Sequence, residues 1–179
     1  VPCPKAFAVP VFYYKQFEEE NGFDDAVTAL LADDDFVNNP ATRDQALEDL
    51  RDAIMAAPVN PDFEALLVAK LEADYPDTRM RFRSSTNAED LEDFTGAGLY
   101  TSASGEVDDP SSPVIDAVRE VWASLWNFRA FEERSYNGID HQAVAMALLV
   151  HHSFPDEEAN GVALTNNMFD ETQPGFYIN

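Results

Sequence analysis

Residues 79–83 read Arg-Met-Arg-Phe-Arg, and this alternation limits the fold more than any other stretch of the chain. A β-strand has a side-chain period of two. Arg79, Arg81 and Arg83 therefore share one face, and Met80 and Phe82 share the other. Beyond the strand the sequence turns small and polar, with Ser84, Ser85, Thr86 and Asn87, and then enters a loop that holds Gly96 and Gly98. Such a loop has free backbone N–H groups and little side-chain bulk, so it can approach phosphates closely. A cationic strand end feeding a hydroxyl-rich, glycine-containing loop reads as a polyphosphate site. It is not a P-loop or a dinucleotide fingerprint, because neither GxxxxGK(S/T) nor GxGxxG is present. Spacing alone leaves a second reading open: alternating Arg on an edge strand can simply solubilise the edge and pair with surface carboxylates.

Composition bounds the rest. A chain of 179 residues is one domain, or one domain and part of another, and can bury a real core. An apolar fraction of 45% with 13 Phe describes a folded globule rather than an acidic disordered tail. No run approaches the roughly 18 apolar residues of a membrane span. The start, Val-Pro-Cys-Pro-Lys, is no signal peptide and lacks an initiator Met, so the chain is expected to be a piece of a larger protein. A single Cys3 makes no internal disulfide, which fits a reducing, cytoplasmic setting. With 34 acidic against 11 basic residues, the net charge is −23. Nucleic acid is thereby disfavoured as a partner, since it requires a basic footprint. The excess reads either as a strongly solvated surface or as adaptation to a saline setting that screens self-repulsion. An anionic ligand would have to be held by local charge, with Mg²⁺ helping to neutralise its phosphates.

In chain order, prolines at 2, 4 and 10 forbid helix, and residues 7–9 form a short apolar strand. A helical pattern covers 12–21 and stops at Gly22; a second covers 25–32 with Asp24 as its N-cap. The run 33–35, all Asp, reads as a solvated turn. Thr42 opens a helix to Ala56, with Gln45 completing a capping box, and Asn60-Pro61 opens the next, to about residue 73. Residues 1–77 are thus expected to be mainly helical, and 78–179 to form the sheet region. One turn is expected at 88–91, where Glu89 and Asp90 orient arginines or help hold Mg²⁺, and a loop at 103–112. Ser112-Pro113 opens the longest helix, to 137–138. Its stripe of Ile115, Val118, Val121, Trp122, Leu125 and Trp126 reads the tryptophans as core, with Arg119, Arg129 and Arg134 off the stripe. The apolar run 143–150 reads as a buried strand, with its Ala and Met leaving helix open; His151-His152 follow it, and then strands at 160–166 and 175–178. Short connections imply an antiparallel sheet. The fold class is α+β: a helical N-terminal part, then a mostly antiparallel sheet with one long helix.

Four segments carry a resemblance. Phe82-Arg-Ser-Ser-Thr-Asn-Ala-Glu-Asp-Leu91 resembles the VRSSATAEDL segment of the pyruvate phosphate dikinase and phosphoenolpyruvate synthase family. Gly98-Leu-Tyr-Thr-Ser stands where that family has its glycine-rich phosphate loop, in wording similar to the glucan water dikinase branch. Val121-Trp-Ala-Ser-Leu-Trp-Asn-Phe-Arg-Ala130 resembles its CWASLFxxRA helix, and Asn160-Gly-Val-Ala-Leu-Thr165 its SGVxFT strand. Together they cover about residues 78–170; the first 75 match loosely, through Val-Pro-x-Pro. The resemblance implies an ATP-grasp-like fold that binds Mg-ATP. A phosphoryl group would pass to a histidine on a swivelling domain and then to an acceptor. It implies Arg83 as the phosphate contact and Gly96, Gly98, Thr101 and Ser102 as the covering loop. Arg129 matches the Arg of the family helix and would brace that loop, and His151-His152 would stand at the rim of the adenine pocket or simply be satisfied at a strand end.

The departures bear on activity. The family has an acidic residue and then Thr where Thr101-Ser102 stand. A GGKxxNL segment and a TGGxxxH phosphohistidine segment are absent from these residues, and His141, His151 and His152 stand in no such motif. Two readings follow: the ATP-binding portion of a dikinase-type phosphotransferase that does not turn over alone, or a non-catalytic binding module of the same shape.

Overall fold

The computed structural model describes residues 3–88, 90–91, 94–96, 98–154, 157–158, 161–170 and 172–178. Strand β1 (Ala6–Val9) leads into α1 (Val11–Asn21) through Pro10. Gly22, at φ 71°, ends α1 in the left-handed conformation that glycine adopts without strain, and its N–H bonds the carbonyls of Glu18 and Glu19. The same residue begins α2 (Phe23–Leu31), so the expected cap at Asp24 is not used. The acidic run at 33–35 is more than a solvated turn. Asp33 accepts from the N–H groups of Asp35 and Phe36 and starts α3 (Asp34–Asn38). Helix α4 (Pro40–Ala56) begins earlier than expected, because Asn39 caps Ala41 and Pro40 fits the first helical position. Thr42 and Gln45, expected to form a capping box, instead bond Asp35 (2.8 Å) and Asp49 (3.0 Å). Helix α5 (Pro61–Asp74) is capped by Asn60, as the Asn-Pro pair predicts.

Strand β2 (Met80–Thr86) follows. Where a turn was expected at 88–91, β3 (Asp90–Leu91) pairs with β4 (Phe94–Thr95). The expected loop at 103–112 contains β5 (Ala103–Gly105). The long helix is broken into α6 (Val114–Ala123), a 3₁₀ turn (Ser124–Trp126) and α7 (Phe128–Tyr136). Ser112 does not cap α6; its hydroxyl donates to the carbonyl of Ser104 at 2.9 Å. The break has a local cause. The Ser124 hydroxyl bonds back to the carbonyl of Val121 (2.7 Å), and Asn127 takes an extended ψ of 135°. Strand β6 (Met146–His152) starts three residues later than the apolar run suggested. The last strands, β7 (Ala163–Leu164) and β8 (Tyr177–Ile178), pair with each other.

The main sheet has the order β1-β6-β2-β5, and every pairing is antiparallel. The expected hand of pairing is right, but short connections are not its reason. Five helices separate β1 from β2, and α6 and α7 separate β5 from β6. The antiparallel pattern arises because β6 lies between β1 and β2, which run parallel to each other without touching. The class is therefore α+β, with helices on the inner face of the sheet. That face sends Val9, Met80, Phe82, Leu148 and Val150 into one core with Val118, Val121 and Leu125. Trp122, fully buried, is ringed by Tyr14, Phe17 and Phe63 at centroid distances of 5.9, 5.0 and 5.8 Å. Both tryptophans are core, as read from the stripe. Among the described residues no helix is long and apolar enough to cross a membrane.

At Gly105 the start of α6 closely approaches the sheet. A Cβ there would lie 2.8 Å from Val114 Cα and 3.0 Å from the Pro113 carbonyl oxygen. Both neighbours are backbone, so neither can swing aside. We expect Gly105→Ala to cost about 1–3 kcal/mol by overpacking, read as a lowered urea midpoint; an unchanged midpoint would show that α6 can retreat from β5 freely.

Candidate functional site

The alternation in β2 works as its period dictates. Met80 and Phe82 are buried under the helices, while Arg81 and Arg83 stand on the outer face of the sheet. Register sets their neighbours. Arg81 lies between His151 on β6 and Ser104 on β5, and Arg83 lies opposite Leu149. The β2–β5 pairing runs to Phe82↔Ala103, so one further step brings Ser102 alongside Arg83. These side chains open onto a cleft of about 680 Å³, whose lining includes Arg81, Arg83, Ser102, His151, Phe154 and Glu157. That volume suits a small organic ligand. A tighter recess of about 120 Å³ is walled by Glu72, Asp77, Glu106 and Asp108 and would repel an anion.

The three arginines are not equivalent. Arg79 donates to the Ser112 hydroxyl (3.1 Å) and stands 3.7 Å from the Asp109 carboxylate. Arg81 donates to Ser104 Oγ at 3.2 Å. Arg83 is exposed and has no hydrogen-bond or ion-pair partner among the described residues. In a chain of net charge −23, Arg83 keeps its guanidinium unpaired among the described residues, and it faces the cleft.

Of the five residues read from sequence, Arg83 and Ser102 line the cleft; Gly96, Gly98 and Thr101 do not. Gly96 is buried, and its carbonyl accepts from Leu99 N–H (3.2 Å). Gly98 turns the chain at φ 78°, a conformation that favours glycine, and has open space around it. Thr101 is half-buried on the approach to Ser102. The loop rests on α7. Leu99 packs on Ala130, Asn127 Nδ2 donates to the Leu99 carbonyl (3.1 Å), and Arg134 reaches the Tyr100 hydroxyl (3.4 Å). Arg129, expected to brace the loop, is exposed; Arg134, read only as lying off the stripe, is the arginine that touches it. Glu89 lies outside the described residues, as does the side chain of Asp90.

His151 stands near the end of β6 with a hydrogen-bond partner, in line with the strand-end reading. It lines the cleft, and its Nδ1 stands 2.7 Å from the carbonyl of His152. Phe154, not singled out in the sequence, is half-exposed beside it, with its ring 3.8 Å from that of His152 and 6.2 Å from that of His151. Only the β6 register could have placed these residues next to Arg81.

His141, behind the loop, stacks on Phe131 at 3.8 Å and accepts from Arg134 Nε on its Nδ1 (3.3 Å). Burial, and then the neighbouring Arg134 charge, push its pKa down to about 4. A histidine that is neutral when folded and titrates near 6.5 when unfolded contributes stability that is complete above about pH 6.5. That contribution is lost as pH falls toward about 4. We expect melting curves of His141→Asn to lack the part of the wild-type decline that lies between these pH values. Parallel pH profiles for the two proteins would contradict this account.

The sequence matches other proteins along its whole length. The family model described as pyruvate phosphate dikinase, AMP/ATP-binding domain, matches residues 1–179. The chain is 32% identical to a probable phosphoenolpyruvate synthase of Staphylothermus marinus, covering 84% of this chain and 18% of that protein. It is 30% identical to a probable phosphoenolpyruvate synthase of Methanothermobacter thermautotrophicus, covering 92% and 24%. Against the phosphoenolpyruvate synthase of Escherichia coli it is 29% identical, covering 98% and 22%. It thus spans less than a quarter of the length of these relatives. With the family model matched from end to end, the chain belongs to the AMP/ATP-binding domain family of pyruvate phosphate dikinase.

Proposed function

We propose that this chain is the nucleotide-holding portion of a dikinase-type, phosphoenolpyruvate synthase-like phosphotransferase. The observation that carries the reading is the outer-face cleft, where Arg81 and Arg83 converge with Ser102. Two guanidiniums and a hydroxyl are the donors that a polyphosphate requires, and Arg presents its donors in a fork matched to phosphate oxygens. Arg83 would take phosphate, while Ser102 and the loop of Gly96, Gly98 and Thr101 would close over it. His151 and Phe154 offer flat surfaces at the same cleft. The shape would be that of an ATP-grasp-like domain.

Mg²⁺ would enter with the nucleotide. Among the described residues no group of three or more His, Cys, Asp or Glu could hold a metal ion. The donor set therefore fits an ion carried chiefly by phosphate oxygens, as Mg²⁺ commonly is, with Glu157 the described carboxylate at the cleft. The ion would supply charge neutralisation. The chain's own part is positioning and electrostatic stabilisation, since phosphoryl transfer asks little covalent chemistry of the protein. The acceptor would be a histidine on a separate, swivelling domain: His141 is stacked against Phe131, and none of His141, His151 and His152 stands in a phosphohistidine motif. A cytoplasmic setting accords with the lone, exposed Cys3.

A second reading, a non-catalytic nucleotide-binding or interaction module, is favoured by Thr101, which stands where the family has a carboxylate and does not line the cleft. Calorimetry of Mg-ATP binding to the natural full-length protein, wild type against Arg83→Ala, tests the phosphate contact. We expect the substitution to weaken binding by more than about 1.5 kcal/mol, as for a charge-assisted hydrogen bond. No binding by the full-length wild type would sink the nucleotide reading. Binding without any turnover would leave the module.

A further inference from the structure

Arg134 presents a problem that the cleft does not solve. Its side chain is fully buried, yet no carboxylate pairs with it among the described residues. Its hydrogen-bond partners are neutral: the Tyr100 hydroxyl at 3.4 Å and His141 Nδ1 at 3.3 Å. Its guanidinium carbon lies 5.7 Å from the centre of the Trp126 ring, and one terminal nitrogen has no hydrogen-bond partner among the described residues. A buried, unpaired charge is a poor means of stabilising a core, where an apolar side chain of similar volume would serve better. What the guanidinium does provide is direction. Asn127, which immediately precedes α7, and Ala130 and Arg134 within it recur at helical spacing along one side. Each touches the same few residues: Asn127 the Leu99 carbonyl, Ala130 the Leu99 side chain, Arg134 the Tyr100 hydroxyl. Two residues beyond Tyr100 the chain delivers Ser102 to the cleft beside Arg83. His141 holds the guanidinium from behind, and it can accept from Arg134 Nε only while its Nδ1 lone pair is unprotonated.

We propose that Arg134 is a positioning residue, which fixes the loop at residues 98–102 through Tyr100 and thereby sets Ser102 against the arginine face of β2. Its structural part stands independently; its functional part rests on the nucleotide reading of the cleft.

The test uses the natural full-length protein with Arg134→Met, Arg134→Lys and Tyr100→Phe, read by amide hydrogen exchange and by Mg-ATP binding. In Arg134→Met the amides of residues 99–102 should exchange at least tenfold faster while those of β2 and α6 stay at wild-type rates, and Mg-ATP should bind about tenfold more weakly. Arg134→Lys, which keeps a cationic donor, should recover part of both. A merely structural arginine would instead loosen α6, α7 and β2 together. Wild-type exchange at residues 99–102 in Arg134→Met overturns the proposal. If that variant loses protection everywhere, Tyr100→Phe decides, since it removes only the hydroxyl: faster loop exchange supports the proposal and unchanged exchange overturns it. Faster loop exchange with unchanged Mg-ATP affinity overturns the functional part. Faster loop exchange in a protein whose wild type binds no Mg-ATP leaves the positioning role standing and removes the nucleotide reading instead.

Discussion

The pleat of β2 is the constraint on which the rest of the molecule depends. Because successive side chains point to opposite faces, burying Met80 and Phe82 under α6 obliges Arg81 and Arg83 to face outward. A slip of one residue would put guanidiniums into the Trp122 core and phenyl rings into the cleft, so the apolar face locks the polar one in place. The register is held from both sides. The antiparallel partner β6 pairs along the whole of β2, and β5 pairs with its first half. Ser102 and the loop lead directly into β5, which is why the covering segment and the arginine face meet.

Charge is distributed so that this face stands apart from its surroundings. The chain as a whole repels anions, and long-range attraction cannot bring a nucleotide to it. Attraction must act at short range, within a Debye length of about 8 Å at physiological salt. Arg79 and Arg81 are tethered to neighbours, and Arg83 is left to face the cleft. A carboxylate beside Arg83 would neutralise the one cleft arginine that has no partner among the described residues.

Much of this was legible before any coordinates, and the limits have physical causes. The period of β2, the Asn-Pro start of α5, the glycine stop at Gly22 and the tryptophan stripe are local signals that the fold obeys. Asn39-Pro40 carries the same signature as Asn60-Pro61, and it outranks the weaker capping box two residues later. The break at residues 124–127 was hidden because its residues keep a helical apolar spacing; a hydroxyl bonding backward and an Asn turned to another loop interrupt it. The position of His151 beside Arg81 was illegible for a different reason: it is a pairing between distant segments, and spacing within either one says nothing of register. For Arg134 the sequence shows only that it lies off the apolar stripe; the tertiary packing of Trp126, Tyr100 and His141 buries it. At the cleft, Arg83 and Ser102 were named by what the family resemblance implies, whereas Phe154 and the place of His151 beside Arg81 required the sheet.

The strand order also governs how the chain can be made. The central strand between β1 and β2 is β6, the last of the four in sequence. As the polypeptide emerges from the ribosome, β1 and β2 are complete long before β6 exists, and each must wait with an open edge that invites pairing with other strands. The sheet closes only when residue 152 has been synthesised, and it closes through contacts of very long sequence separation, a topology that folds slowly. The five helices between β1 and β2 have no such delay. They can collapse around Phe17, Phe36 and Leu47 early and shelter the waiting strands, and the dense negative surface keeps neighbouring nascent chains apart in the interval.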